Sequence, residues 1–214
     1  MKELVLASES PRRRELLGGL GVPFSVIPSK ICESKIASDD PGRLVEELAR
    51  HKAEAVAAEL PSSQESLVIG ADTIVVLNGI VLGKPKDEAD AVTMLQRLSG
   101  CWHQVFTGIA VTQSVSGCSL YSHEVTAVKF RSLSAEEIAA YVATKEPLDK
   151  AGAYGIQGKG ALLVERIDGC YFNVVGLPLV KLAGLLARFG VHLLQGERGI
   201  GHEVPPDNKR ATPR

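Results

Sequence analysis

The sequence predicts an α/β protein built on one mixed β-sheet. Helix-like and strand-like segments interleave along most of the 214 residues, as expected when helices pack on the faces of a sheet. Two long segments, 102–113 and 119–132, alternate like paired strands around a Ser-Gly turn. Asn78-Gly79, between two apolar runs, is a strong signal for a two-residue hairpin. Interleaved helices together with hairpins favour a mixed sheet.

The first part of the chain supplies the expected elements in a regular order. The continuous apolar run at 3–7 predicts a buried strand, and Ser10 with proline at the next position suits the start of a helix. Apolar residues at helical spacing make 41–59 the clearest amphipathic helix. The predicted elements are a strand over 3–7, a helix over 11–20, a short strand over 23–28, a helix over 41–59, a strand over 66–72 and a hairpin over 73–83.

The second part is predicted to continue with helices around the long strand pair. Ser134 and Glu137 form a capping box before an apolar run. The predicted elements are a helix over 87–98, the strand pair, a helix over 135–144, a glycine-rich loop over 146–160, strands over 161–169 and 171–176, and a helix over 177–189. Beyond about residue 196 the pattern dissolves, so we expect one domain over 1–196 and a loose tail over 197–214.

Composition and charge exclude several classes of function. The formal net charge is -1, from 24 basic and 25 acidic residues, so no broad basic surface for nucleic acid is expected. No apolar stretch approaches the ~20 residues of a membrane helix. The four cysteines are widely spaced, which favours reduced thiols, and no signal-peptide pattern is present. We therefore expect a cytoplasmic protein in which any anion site is local.

Three arginines crowd the first turn of the predicted 11–20 helix. Cations are unfavourable there because a helix N-terminus already carries about half a positive charge and unpaired N–H groups. At about 100° per residue, Arg12 and Arg13 can line one site and Arg14 turns to solvent. Ser8 and Ser10 lie beside that site. A strand–turn–helix with arginines is a good phosphate site, although a solvated basic face is the alternative.

Lys52 falls near the middle of an apolar stripe on the predicted 41–59 helix. A lysine in such a stripe needs an anionic partner or a route to water. Its side chain either snorkels to the edge or points through the helix–sheet layer at a phosphate or carboxylate. The stripe consists of Leu44, Val45, Leu48, Ala49, Ala55 and Val56.

Asp72 ends the apolar run LVIGAD, where we expect the end of a strand. Open α/β sheets place ligand chemistry at the carboxyl ends of their strands. The alternative to a functional role is an ordinary aspartate in a turn. A strand pattern resumes directly after Asp72, however, which makes a simple turn role less natural.

Further charged residues extend this candidate site. Glu33, Lys84 and Lys150 each lie in a loop or at a strand end, where a solvated role is the simpler interpretation. Combined with Asp72 and Lys52, they supply two carboxylates and several cations. This set suits a metal-bound polyphosphate, because carboxylates hold Mg²⁺ and cations hold phosphate oxygens.

Two neutral residues complete the candidate set. Gln157 can both donate and accept hydrogen bonds, which suits the edge of a nucleobase, and Thr73 follows Asp72 directly. Either could equally be an ordinary loop residue. The chain has no G-x-x-x-x-G-K-[ST] motif, which argues against a P-loop nucleotide hydrolase.

Several long segments together resemble the Maf family of nucleoside triphosphate pyrophosphatases. They are LASESPRRRELL, IGADTIVVLNGIVLGKP, LSGCWHQVFTG, EPLDKAGAYGIQGKGALLVERIDG and NVVGLPLV, in the family's order over about 3–190. The resemblance implies a fold related to the inosine triphosphatase group, with an elongated mixed sheet and helices forming two lobes around a deep cleft. It also implies hydrolysis between the α- and β-phosphates with a divalent cation, Mg²⁺ or Mn²⁺.

The resemblance also implies roles for the candidate residues. Asp72 matches the proton acceptor that activates water. Glu33, Lys52 and Lys84 match the other charged catalytic positions, and Glu33 with Asp72 would hold the metal. The substrate-binding residues would be Ser8, Arg12, Arg13, Thr73, Lys150 and Gln157.

Substrate preference follows from three of these positions. Arg12, Thr73 and Gln157 match the positions that set base preference and indicate the dTTP/UTP branch. The alternative branch, which takes 7-methyl-GTP or CTP, tends to carry an aromatic residue after Ser-Pro and GSDQ in place of GADT. A non-catalytic nucleotide-binding regulator of septum formation is the other alternative. The resemblance further implies a homodimer, house-cleaning of nucleotide pools and a link to cell-division arrest.

Overall fold

Seven strands form one mixed sheet in the computed structural model, which describes residues 2–33, 36–61, 63 and 65–194. Neighbouring strands follow the order β2-β1-β3-β5-β6-β7, and β4 pairs with β3. Pairing is parallel among the first three and antiparallel elsewhere, so the predicted mixed sheet is confirmed. The strands are β1 (Glu3–Leu6), β2 (Phe24–Val26), β3 (Ser66–Leu77), β4 (Ile80–Leu82), β5 (Trp102–Gln113), β6 (Ser119–Phe130) and β7 (Val164–Asp168).

Six α-helices cover the sheet on both faces. They are α1 (Pro11–Gly18), α2 (Pro41–Glu59), α3 (Glu88–Leu98), α4 (Ala135–Ala143), α5 (Tyr171–Val175) and α6 (Leu179–Arg188) among the residues described. Val68 of β3 packs with α2, whereas its neighbours Leu67 and Ile69 pack with α1 and α6. Because successive side chains of a strand face opposite sides, α2 covers one face and α1 and α6 the other. No helix in the described ranges is long and apolar enough to cross a membrane.

The two largest core clusters among the described residues lie along the long strands and correspond to the two predicted lobes. One joins the first half of β3 to α1 and α6, with Ile69 and Leu182 fully buried. The other joins the second half of β3 to α3 and α4, with Leu95 and Phe130 fully buried. The strands β3, β5 and β6 have 12 residues each and so run through both clusters.

Most element boundaries predicted from the sequence lie within a few residues of those in the structure. The Ser134–Glu137 capping box forms as predicted, and Asn78 and Gly79 take the positive φ angles, 51° and 78°, of a tight hairpin turn. Residues 66–77 are one strand rather than a strand followed by a hairpin arm. The glycine-rich loop contains short 3₁₀ turns at Glu146–Asp149 and Ala151–Ala153.

Of the two strands predicted near the C-terminus, one is confirmed in part and the other is wrong. Residues 161–163 belong to a 3₁₀ turn, Gly158–Leu163, so only Val164–Asp168 forms a strand. Residues 171–175 form the short helix α5, not a strand. The fully buried Asn173 amide donates there to the Val105 carbonyl and to Thr126 Oγ1, and these contacts outweigh the strand preference of neighbouring aromatic and β-branched residues. The predicted tail over 197–214 lies outside the described residues.

Candidate active site

A gap along one edge of β3 opens a cleft between the two lobes. β1 pairs with β3 only as far as Ile69, and β4 begins pairing at Val75, so neither strand covers 70–74. The cleft there has a volume of about 640 Å³. All ten predicted site residues line it: Ser8, Arg12, Arg13, Glu33, Lys52, Asp72, Thr73, Lys84, Lys150 and Gln157. Asp72 lies in the middle of β3, so the prediction that it ends a strand is wrong. The cleft opens at Asp72 because neither β1 nor β4 covers that part of the edge of β3.

Two glycines let α2 approach the sheet closely enough to bring Lys52 to Asp72. A Cβ atom on Gly70 would lie 2.1 Å from the Ala49 carbonyl oxygen, and one on Gly108 would lie 2.0 Å from the Val45 carbonyl oxygen. Gly108 is the direct antiparallel partner of Asp72. Only glycine fits at these two crossing points, and no sequence pattern singled them out.

Lys52 holds two carboxylates together at the base of the cleft. Its Nζ donates to Asp72 Oδ1 at 2.6 Å and contacts Glu33 Oε1 at 2.7 Å. The Lys52 and Asp72 side chains are 12% and 13% exposed, whereas Glu33 is 57% exposed. Burial alone would raise the pKa of Glu33, but the hydrogen bond from Lys52 and the charges of Lys52 and Lys84 hold that pKa below its ordinary value. Lys52 thus points through the helix–sheet layer rather than snorkelling.

Arg13 is locked in place by the protein itself. Its Nε donates to the Gly176 carbonyl at 2.8 Å and its Nη1 to the Ala71 carbonyl at 2.9 Å. Nη1 also lies 3.3 Å from Ser8 Oγ, and Nη2 donates to Thr73 Oγ1 at 3.0 Å. Burial lowers the pKa of Arg13, although the charge of Asp72 opposes that effect. Arg13 therefore borders the cleft chiefly as a fixed positive charge that orients its neighbours.

Arg12 and Lys150 share one carboxylate across the mouth of the cleft. Arg12 Nη1 donates to Asp149 Oδ2 at 3.3 Å, and Lys150 Nζ donates to Asp149 Oδ1 at 2.6 Å. Both cations are paired with an exposed carboxylate that a phosphate group can replace. Arg14 is exposed, as predicted, and the Ser10 side chain caps α1.

Gln157 projects from a loop that Glu146 holds together. The Glu146 carboxylate accepts from the backbone N–H groups of Lys159 and Gly160 and from the hydroxyl of Tyr141. Gln157 is half-buried within the cleft wall. Lys84 is exposed and acts on Glu33 through its charge.

The residues present suit a divalent cation that also needs substrate oxygens. No group of three or more His, Cys, Asp or Glu side chains that could hold a metal occurs in the part of the chain that the structure describes. Asp72 and Glu33 nevertheless converge on one ammonium, so their oxygens lie close together. Mg²⁺ is usually bound by one or two carboxylates, together with water and substrate phosphates. The pair fits that requirement.

Sequence reasoning missed several residues that shape the cleft. Asp149 pairs with two predicted substrate-binding cations, and Thr107 contacts the Thr73 hydroxyl. Asp149 directly precedes Lys150 in the glycine-rich segment, and this adjacency was the one sequence signal that could have identified it. Thr107 lies on a strand with nothing local to distinguish it from other buried threonines.

Comparison with known proteins places these features in a family. The family model described as Maf-like protein matches residues 3–189. A dTTP/UTP pyrophosphatase of Moorella thermoacetica is 59% identical over 191 residues, covering 89% of this chain and 97% of that protein. A dTTP/UTP pyrophosphatase of Acetivibrio thermocellus is 53% identical over 199 residues, covering 91% and 99%.

A solved HAM1 protein from Coxiella burnetii aligns with 61% of this chain and 73% of its own, at 19% identity and a TM-score of 0.42. The family match spans the buried residues of the two largest core clusters and every residue assigned to the cleft. This chain belongs to the Maf-like protein family.

Proposed function

We propose that this protein hydrolyses UTP and dTTP, together with modified uridine and thymidine triphosphates, to the monophosphate and pyrophosphate. The observation that carries the proposal is the Lys52 ammonium held between Asp72 and Glu33 in a cleft lined with further cations. Two carboxylates suit water activation and metal binding, and the cations suit a triphosphate. The names of relatives more than 50% identical to this chain support the substrate class.

The side chains divide the chemistry between them. Asp72 acts as the general base toward the attacking water, through Oδ2, because Oδ1 is engaged by Lys52. Lys52 and Lys84 stabilise charge that develops on the phosphates. When substrate enters, Arg12 and Lys150 exchange their ion pairs with Asp149 for ion pairs with the phosphate chain.

Asp72 and Glu33 are the residues that would hold a divalent cation. Carboxylate oxygens are the hard ligands that Mg²⁺ and Mn²⁺ prefer. When bound, Mg²⁺ or Mn²⁺ would neutralise negative charge on the phosphates. The protein's own part includes the lowered pKa of Glu33, which favours the ionised carboxylate that a cation needs.

A nucleotide panel with Mg²⁺ tests the proposal, provided that pyrophosphate and orthophosphate are detected separately. UTP and dTTP should yield the monophosphate and pyrophosphate, and Asp72→Asn should lower turnover by roughly 10²–10⁴-fold, the usual loss with a general base. UDP and orthophosphate as first products would contradict the proposal. A preference for 7-methyl-GTP or CTP would indicate the alternative branch, and binding without pyrophosphate release would indicate a regulator.

We also propose a homodimer and a house-cleaning role in the cytoplasm, with a link to cell-division arrest. These proposals rest on the family resemblance. Light scattering on the purified protein measures the oligomeric state directly. A mass near 22.8 kDa, that of one chain, would contradict the dimer.

A further inference from the structure

A pair of threonine hydroxyls joins the cleft wall to the buried core behind it. Thr73 of β3 and Thr107 of β5 are antiparallel partners, and their Oγ1 atoms are 3.0 Å apart. Thr73 lines the cleft, whereas Thr107 is fully buried. Thr107 Oγ1 also lies 2.9 Å from the backbone carbonyl oxygen of Asn173.

Counting protons along this chain fixes the direction of each hydrogen bond. A threonine hydroxyl has one hydrogen and two lone pairs. A carbonyl oxygen can only accept, so the Thr107 hydrogen goes to Asn173. Thr107 therefore accepts from Thr73, and the Thr73 hydrogen is used. Arg13 Nη2 donates to Thr73 Oγ1 at 3.0 Å and occupies one of its lone pairs.

The surrounding contacts keep this arrangement from reversing. Asn173 lies near the end of α5, where carbonyl groups lack partners within the helix, and the residue is fully buried. Its carbonyl would lose its hydrogen bond from Thr107 if the Thr107 hydroxyl turned away. Arg13 cannot turn away either, because the Ala71 and Gly176 carbonyls hold it.

We propose that Thr107 is a positioning residue that fixes the Thr73 hydroxyl as a hydrogen-bond acceptor toward the cleft. The substrate group at Thr73 must then be an N–H or O–H donor, never a phosphate or carbonyl oxygen. In the uracil and thymine of a nucleotide the base has a single N–H, at N3. Cytosine has an acceptor at N3 and would have to shift to present its exocyclic amine.

This inference rests on the proposed function and adds a physical source for its preference of UTP over CTP. A site built to accept from a substrate N–H discriminates strongly against an analogue that lacks the donor, because a buried polar group is left unpaired. The discrimination then depends on Thr107, which contacts no substrate.

Thr107→Val tests the role by removing the acceptor for the Thr73 proton while keeping side-chain shape. Thr107→Ser, which keeps the hydroxyl, is the matched control. With kcat/KM measured for UTP and CTP, the UTP/CTP ratio should fall about tenfold or more in Thr107→Val, since Thr73 can then donate to cytosine N3. The ratio should stay near the wild-type value in Thr107→Ser. An unchanged ratio in a folded, active Thr107→Val enzyme overturns the proposal, because a merely structural role would slow both substrates alike.

A second measurement uses the wild-type protein and does not depend on whether a variant folds. 3-Methyl-UTP and 5-methyl-UTP each add one methyl group, but only the first removes the N3 donor. We expect kcat/KM for 3-methyl-UTP to be at least tenfold below that for 5-methyl-UTP, and equal values would overturn the inference. Absence of pyrophosphate release from UTP by the wild type would instead overturn the proposed function, and with it the assignment of Thr73 to a base.

Discussion

Lys52 holds its ammonium against two carboxylates on the buried side of α2. The contacts of 2.6 and 2.7 Å join it to Asp72 and Glu33, and the Lys52 side chain is only 12% exposed. Removing one member of a buried charge cluster costs more than the cluster itself contributes, since the remaining charges lose their partner. The three residues therefore act as a unit.

Replacing Lys52 tests that unit. Lys52→Met should lower UTP turnover by about 10²-fold or more, the usual loss when one preorganised electrostatic group is removed. It should also lower the melting temperature at neutral pH, because Asp72 and Glu33 are left as uncompensated neighbours. Lys181→Met on α6 is the control, because it removes a lysine paired with Glu124 and neither residue lines the cleft. Wild-type turnover in Lys52→Met would remove this residue from the mechanism.

His103 lies on β5 and is a buried structural residue. It is 3% exposed, and its Nε2 lies 2.7 Å from the Tyr154 hydroxyl. Burial lowers the pKa of His103 to about 4. The unfolded chain, with a pKa near 6.5, therefore binds this proton more readily than the folded protein.

Acid should consequently destabilise the protein through His103. The stabilisation is complete above about pH 6.5 and is lost as the pH falls toward 4, with an upper limit of about 3 kcal/mol. Urea unfolding at several pH values measures it. His103→Gln removes the titration, so its free energy of unfolding should change less between pH 6.5 and 4 than that of the wild type. Parallel curves for the two proteins would rule His103 out as the cause.

The position of α2 is set by backbone contact rather than by side-chain packing alone. At Gly70 and Gly108 the helix carbonyls of Ala49 and Val45 occupy the space where a Cβ would be. Lys52 lies within one turn of Ala49, so the same close contact sets how deeply its ammonium reaches. The close packing of α2 against the sheet therefore fixes the position of Lys52 in the candidate site.

Adding a methyl group at Gly108 should push α2 away from the sheet. Gly108→Ala would place a Cβ 2.0 Å from the Val45 carbonyl oxygen, and backbone cannot yield as a side-chain tip does. We expect a loss of about 1–3 kcal/mol of stability, the usual range for overpacking, together with lower turnover as Lys52 shifts. Chemical denaturation and UTP hydrolysis on one preparation measure both.

Gly184→Ala is the matched control for that substitution. Gly184 lies within α6 and a Cβ there meets nothing within 4 Å. Because alanine is the better helix former, this variant should gain about 0.5–1 kcal/mol with unchanged turnover. Equal effects of the two substitutions would show that close approach does not matter at Gly108.

Across the whole molecule, the cleft lies between the two largest core clusters, which share three long strands. Arg12, at the start of α1 in one lobe, pairs with Asp149 in the loop of the other. Such exposed ion pairs contribute little stability, so the unliganded cleft is joined mainly through the sheet. A triphosphate that contacts both walls adds a connection between the lobes.

Substrate should therefore raise thermal stability under conditions that prevent turnover. In Asp72→Asn with Mg²⁺, UTP at about 100 times its dissociation constant should stabilise by roughly 2.7 kcal/mol, or about 5–10 °C in melting temperature. UMP, which lacks the β- and γ-phosphates, should give a smaller shift at the same concentration. Equal shifts with UMP and UTP would contradict a site that reads the triphosphate chain.

The sequence by itself determined the α/β class, the capping box at Ser134, the hairpin turn at Asn78-Gly79 and the place of Lys52 within the apolar stripe of α2. Each of these depends on residues a few positions apart, whose spacing directly reports helical or strand periodicity. The candidate site residues came from residue type and position, the motif resemblance gave them roles, and the structure brings all ten of them together.

Only the tertiary structure decided the rest. It turned 171–175 into a helix through the buried contacts of Asn173, paired Arg12 with Asp149, and placed Thr107 behind Thr73. It also set α2 against Gly70 and Gly108. These features join residues that are far apart in the chain. Their free energy comes from burial and from hydrogen bonds between distant segments, and the local periodicity of the sequence does not report either.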